Sequence, residues 1–150
     1  MTEIKTRRAA SAAADRGKPQ TADYQALADF RYALRQFLAF SGDAAQGVGL
    51  TPQQHQAMLS IIGAPAGQVV TVGFLAERML LKHHSTVELV DRLVELDLVA
   101  RQPDVADRRK VLLNLTPKAK RLLTKLSAAH LEELKRIRPV FAALLNRLER

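Results

Sequence analysis

Residues 83–117 read HHSTVELVDRLVELDLVARQPDVADRRKVLLNLTP, and this stretch decides the fold. Ser85-Thr86-Val87-Glu88 has the form of a capping box, in which a hydroxyl and a carboxylate three residues on each take a backbone N–H at a helix start. The helix it predicts holds Val87, Leu89, Val90, Leu93, Val94 and Leu96 and runs about 12 residues, roughly 18 Å. Asp97 then stands where a helix end usually has Gly, and Asp is among the few residues that tolerate left-handed backbone there. Two strand-like pieces follow, Leu98–Gln102 and Lys110–Leu115. The second alternates Val111, Leu113 and Leu115 against Lys110, Leu112 and Asn114. Between them runs a polar hairpin loop, Pro103 to Arg109, that closes on Asp107, Arg108 and Arg109.

Upstream, Leu50-Thr51-Pro52-Gln53-Gln54 is a full helix-start signal, with Thr51 as N-cap, Pro52 at the first helical position and Gln54 closing the box. That helix carries Met58, Leu59, Ile61 and Ile62 and stops at Gly63-Ala64-Pro65-Ala66-Gly67. A short extended piece, Val69-Val70-Thr71, leads into another helix around Phe74, Leu75 and Met79. Two short helices joined by a tight turn form a helix-turn-helix, whose second helix fits a DNA major groove about 12 Å wide. Its first turn would present His84, Ser85, Thr86 and Glu88 to the bases. The hairpin after it could reach a phosphate or a narrow minor groove with Arg108 and Arg109, and Asp107 could orient one of them.

The flanks read as helices. Leu27, Phe30, Leu34, Phe37 and Leu38 share one face of a helix from Ala22, which Ser41-Gly42-Asp43, Gly47 and Gly49 are expected to break. After Leu115-Thr116-Pro117 a long helix runs through Leu122, Leu126, Leu134 and Ile137. Pro139 ends or kinks it, and a last helix carries Phe141, Leu144, Leu145 and Leu148. The apolar stripes at the two chain ends either pack on their own core or join two copies, and the residues alone leave both open. The expected fold is mainly α with a small β-hairpin. A disordered basic arm, 1–20, precedes one domain at 21–150, with the DNA-binding part at 51–116 between flanking helices at 21–40 and 118–150.

Charge narrows the function. The 150 residues include 23 Lys and Arg against 15 Asp and Glu, a net +8, which points to a polyanionic partner. The surplus is localised. Residues 1–20 carry a net +3 and residues 21–98 a net −3, whereas 99–125 carry +6 and 126–150 carry +2. Aromatic residues make up 5% with no Trp, so single strands find few stacking platforms. The absence of Cys excludes disulfides, thiolate chemistry and cysteine-held zinc. No apolar run approaches the roughly 20 residues of a membrane span. Lys5, Arg7 and Arg8 precede an alanine stretch as in a signal peptide, but Asp15 and Arg16 cut it, so a cytoplasmic location is expected.

Leu75-Ala76-Glu77-Arg78, Ser85-Thr86-Val87 with Leu89-Val90-Asp91-Arg92-Leu93, Asp104 with Asp107-Arg108-Arg109, and Leu115-Thr116-Pro117 together resemble the MarR family of winged-helix transcription regulators. The resemblance covers about residues 21–150. It implies a homodimer whose first and last two helices form a dimerisation platform, with Leu27, Phe30, Leu34, Phe37, Phe141, Leu144, Leu145 and Leu148 as candidates. It implies a recognition helix at 84–96, a wing at 103–109, and a pseudo-palindromic double-stranded operator. By the same likeness Arg109 is the minor-groove arginine, Asp107 its orienting carboxylate, and Arg92 lies near the DNA backbone. Many members carry a basic residue where this chain has Glu88, which could instead accept from a cytosine amino group. Many also answer to a small-molecule effector; Arg31, Phe37 and His55 fall in the general region used for it.

Other signals are weak. His55 and His130 stand alone, and His83 and His84 are adjacent, so none has the spacing of a metal site. Gly47 and Gly49 lack the rest of a phosphate loop, and no nucleophile–base–acid set stands out. No enzyme activity, cofactor or metal is expected. The sequence thus predicts a ligand-responsive homodimeric repressor; the alternative is an architectural or RNA-binding basic protein without an operator.

Overall fold

The computed structural model describes residues 17–148, the side chain of Leu148 excepted. Most of the expected basic arm, residues 1–16, lies outside the described residues. The chain forms helices α1 (Thr21–Gln46), α2 (Pro52–Ile62), α3 (Val72–Met79) and α4 (His83–Glu95), strands β1 (Val99–Pro103) and β2 (Val111–Leu115), and helix α5 (Pro117–Leu148). Its described residues divide into two compact units, 17–37 with 135–148, and 38–134. Helices α1 and α5 contribute to both.

In the larger unit, Met58, Leu75, Val90, Leu93, Leu98 and Leu113 are the largest fully buried apolar side chains of the core. They come from α2, α3, α4 and the hairpin, so a single core fixes the helix-turn-helix against the wing. Strands β1 and β2 pair antiparallel from Val99 opposite Leu115 to Pro103 opposite Val111. Leu113 and Leu115 point into the core as their alternation predicts, while Val111, nearest the tip, is exposed. The extended piece before α3 is held by the Leu113 N–H, which donates to the Val70 carbonyl at 2.9 Å.

Local chemistry sets the helix ends. The Thr51 hydroxyl accepts from Gln54 N–H at 3.1 Å, and the Gln54 carboxamide accepts from Thr51 N–H at 3.0 Å. Thr71 caps α3 and Thr116 caps α5 in the same hydroxyl-to-N–H manner. Three helices close with a left-handed residue and paired backbone bonds to the preceding turn: α1 at Gly49 (φ 79°), α3 at Leu80 (φ 54°) and α4 at Asp97 (φ 57°). The expectation for Asp97 holds. Leu80 is the costly one, because a branched-chain Cβ crowds the carbonyl there by roughly 1–2 kcal/mol.

Two helical expectations are corrected. Helix α1 continues through Ser41-Gly42-Asp43 to Gln46. A glycine inside a helix costs only about 1 kcal/mol, and complete burial of Ala45 in the core offsets it. Pro139 lies inside α5, so the expected last two helices are one.

In the smaller unit, Ala26, Ala33, Ile137 and Leu144 are buried, and the Phe30 and Phe141 rings meet edge to face at 5.5 Å. Arg147 reaches Asp29 at 3.3 Å across the same pair of helical segments. Leu27, Leu34 and Leu145 remain exposed, with Tyr24, Tyr32 and Val140.

Candidate nucleic-acid interface

Helix α4 starts two residues before the capping box that the sequence suggests. Its N-cap is Lys82, which makes no side-chain cap bond, and Ser85 and Thr86 lie within the helix. The Thr86 hydroxyl instead donates back to the Lys82 carbonyl at 3.0 Å, a bond open to threonine inside a helix. Thr86 is fully buried, so it anchors α4 to the core and is not on the face open to a ligand. His84, Glu88 and Arg92 are exposed, and Ser85 is half-buried. The buried side, Leu89, Val90 and Leu93, follows the helical repeat and fixes which way that face turns.

Polar contacts brace the C-terminal end of α4. Asp91 forms an ion pair with Arg101 of β1. Lys118 donates from Nζ to the Leu96 carbonyl at 2.8 Å, and the Thr116 hydroxyl donates to the Asp97 carbonyl at 2.7 Å. A cation at the carbonyl end of a helix also meets the negative end of its dipole. The helix is thereby tied to both the wing and α5. The charge pattern counts Arg101 and Lys118 as part of the basic segment without assigning them this task.

The wing tip is shaped by two aspartates acting on the backbone. Asp104 accepts from Ala106 N–H at 3.0 Å, and Asp107 accepts from Arg109 N–H at 3.1 Å. Lys110 N–H closes the turn on the Asp107 carbonyl at 3.0 Å. Asp107 therefore positions Arg109 through its main chain, and the expected bond to a guanidinium is replaced by an Asx turn. Arg108, Arg109 and Lys110 are exposed side by side, with Val105 beyond them at 98% exposure. Such a tip can neutralise phosphates or enter a narrow groove.

A cleft of about 570 Å³ lies beside α4, lined by Thr51–Gln54 at the start of α2 and by Leu81, Ser85, Glu88, Leu89 and Arg92. Away from it, the structure joins two histidines that the sequence leaves apart. The rings of His55 and His130 lie 4.8 Å apart. His130 sits between the Leu126 carbonyl at 2.7 Å and the Ser41 hydroxyl at 2.8 Å. His55 is buried, and burial, followed by the charge of His130, lowers its pKa below the ordinary 6.5. Their 75-residue separation gives no spacing signal. Among the described residues no group of three or more His, Asp or Glu could hold a metal ion. No described helix is long and apolar enough to cross a membrane.

A helix-turn-helix whose second helix is exposed along one face and backed by a two-stranded wing defines a winged-helix protein. Residues 48–110 match the MarR family model. An uncharacterized HTH-type transcriptional regulator of Bacillus subtilis, YsmB, is 39% identical over 54 residues, which span 36% of this chain and 37% of that protein. A MarR family protein from Bacillus stearothermophilus superposes with a TM-score of 0.65 at 24% identity, covering 80% of this chain and 87% of its own. The transcriptional repressor CouR, solved on a 23-mer DNA duplex, gives 0.61 at 21% identity, covering 81% and 89%. Residues 48–110 are thus similar to the MarR family, and the fold is that of a solved MarR family protein.

Proposed function

We propose that the protein is a sequence-specific double-stranded DNA-binding transcription regulator, a homodimeric repressor acting in the cytoplasm. The observation that carries this reading is the pairing, in one unit, of the braced and exposed α4 with a wing tip of three adjacent cations. Helix α4 is the element for a major groove, and Arg108 and Arg109 supply contacts beside it. CouR, of similar fold, was solved on a DNA duplex, which supports the same use here.

Dimerisation is assigned to the smaller unit. Leu27, Leu34 and Leu145 are 51%, 40% and 51% exposed, apolar surface that a second copy of the unit would cover. Phe30, Phe37 and Phe141 are half-buried, and Leu144 belongs to the unit's own core at 5%. Two copies about a two-fold axis would place paired α4 helices on half-sites roughly 10 bp apart. A small-molecule effector belongs to the same proposal. The cleft bounded by Ser85, Glu88 and Arg92 is where a bound molecule would compete with DNA for α4.

Selection of bound duplexes from a random library, with size measurement at micromolar protein, tests the proposal. A pseudo-palindromic motif with that spacing and a dimeric mass are expected. An unstructured pool would favour an architectural protein, and a monomer would remove the two-half-site arrangement.

A further inference from the structure

The exposed face of α4 is acidic for an element that meets a polyanion. It carries Glu88, Asp91 and Glu95 against a single arginine, Arg92. Asp91 is engaged by Arg101 of β1, and Glu95 is the last helical residue, farthest from the end nearest the bases. Glu88 differs from both. It is exposed in the N-terminal half, has no hydrogen-bond or ion-pair partner among the described residues, and stands one turn from His84 on one side and Arg92 on the other.

A carboxylate offers acceptors only. Near phosphates it is repelled on every sequence alike, so it lowers non-specific affinity. That loss is recovered where a base edge presents a donor. In the major groove guanine shows acceptors at N7 and O6, thymine an acceptor beside a methyl group, and adenine a donor flanked by the N7 acceptor. Cytosine presents its N4 amino group with no acceptor beside it on the same base. We infer that Glu88 is a specificity-determining residue that selects a cytosine in each half-site and penalises all other duplexes. The inference rests on the DNA-binding reading above and adds to it the base that is read and the residue that reads it.

The test repeats the library selection with the full-length wild type, Glu88→Gln and Glu88→Ala, and measures affinity for the selected and for random duplexes at one salt concentration. The wild type is expected to select a C·G pair at one fixed place in each half-site. Glu88→Gln should change that pair alone, towards A·T, because a carboxamide matches the N6 and N7 of adenine. Glu88→Ala should lose the preference there and bind random duplex more tightly than the wild type. Its specific-to-random ratio should fall on the order of tenfold per half-site. A wild-type motif that all three proteins share, or one lacking the fixed C·G pair, overturns the role of Glu88 and leaves the regulator reading standing. No motif from the wild type overturns both. Thermal melting of both variants is expected to match the wild type, since the side chain is exposed; a shared loss of stability and of all binding would make Glu88 structural and overturn the inference.

Discussion

Helix α4 and the wing tip belong to one unit and share one core, yet their exposed sides carry opposite charge. The helix carries three carboxylates, one of them paired with Arg101, against one arginine, and the tip presents Arg108, Arg109 and Lys110 with its two aspartates turned onto its own backbone. A cationic tip holds any duplex, because phosphates are the same in every sequence. An acidic helix is repelled by most duplexes and accepts few. On the proposed function, grip and choice are separated in this molecule, and the +6 of residues 99–125 belongs to the grip.

The largest effect should come from removing the grip. Arg108→Ala with Arg109→Ala is expected to weaken binding to selected and random duplexes alike, on the order of a hundredfold together, and to lower the salt slope by about one for each phosphate no longer neutralised. Anisotropy titrations at three salt concentrations would read both. A weakening confined to the selected duplex would move base reading into the wing and break the contrast.

Next in size is the brace behind the helix. Lys118→Ala removes the cation from the Leu96 carbonyl, and a loss of about 0.5–1 kcal/mol in stability is expected from denaturant melts. Its effect on DNA should fall on the specific duplex more than on random DNA, since a positioning residue matters most where geometry matters. Equal weakening on both would make Lys118 another phosphate ligand.

Two smaller effects separate folding from reading. Leu80→Gly relieves left-handed strain at a side chain that is 92% exposed, so stability should rise by up to about 1 kcal/mol without a change in DNA preference. Thr86→Val keeps the buried shape and removes the bond to Lys82. A stability change within about 1 kcal/mol and an unaltered motif are expected, whereas an altered motif would return Thr86 to the reading face.

The smallest effect concerns pH and lies in the core of the same unit. Above pH 6.5 His55 is neutral in both folded and unfolded chains, and its contribution to folding is intact. As the pH falls below 6.5 the unfolded chain takes up the proton first, and stability declines towards the lowered folded value. His55→Phe keeps a ring against His130 and should flatten this decline in melts between pH 7 and 5. An unchanged profile would assign the acid sensitivity elsewhere.

The helix-turn-helix and wing are legible in the sequence because their signals are local. Thr51, Pro52 and Gln54 mark a start within four residues, Asp97 marks an end in one, and Leu113 and Leu115 declare a buried face by alternation. A local signal misleads where burial outweighs it. Ser85 to Glu88 looks like a capping box, but the helix begins earlier because burial draws Thr86 inside. Gly42 looks like a stop, but the core holds α1 together beyond it. Pairs distant in sequence, such as His55 with His130 or Asp91 with Arg101, leave no periodic trace at all. The exposed face of α4 follows from its buried repeat, but the partner that removes Asp91 from that face comes only from three dimensions.

The most direct measurement is the ratio of affinities for the duplex upstream of the protein's own coding sequence and for random duplex of equal length, at fixed salt. A selective helix beside a non-selective wing predicts a ratio of about a thousand or more. A ratio near one would contradict the account and leave a protein that grips DNA without choosing among sequences.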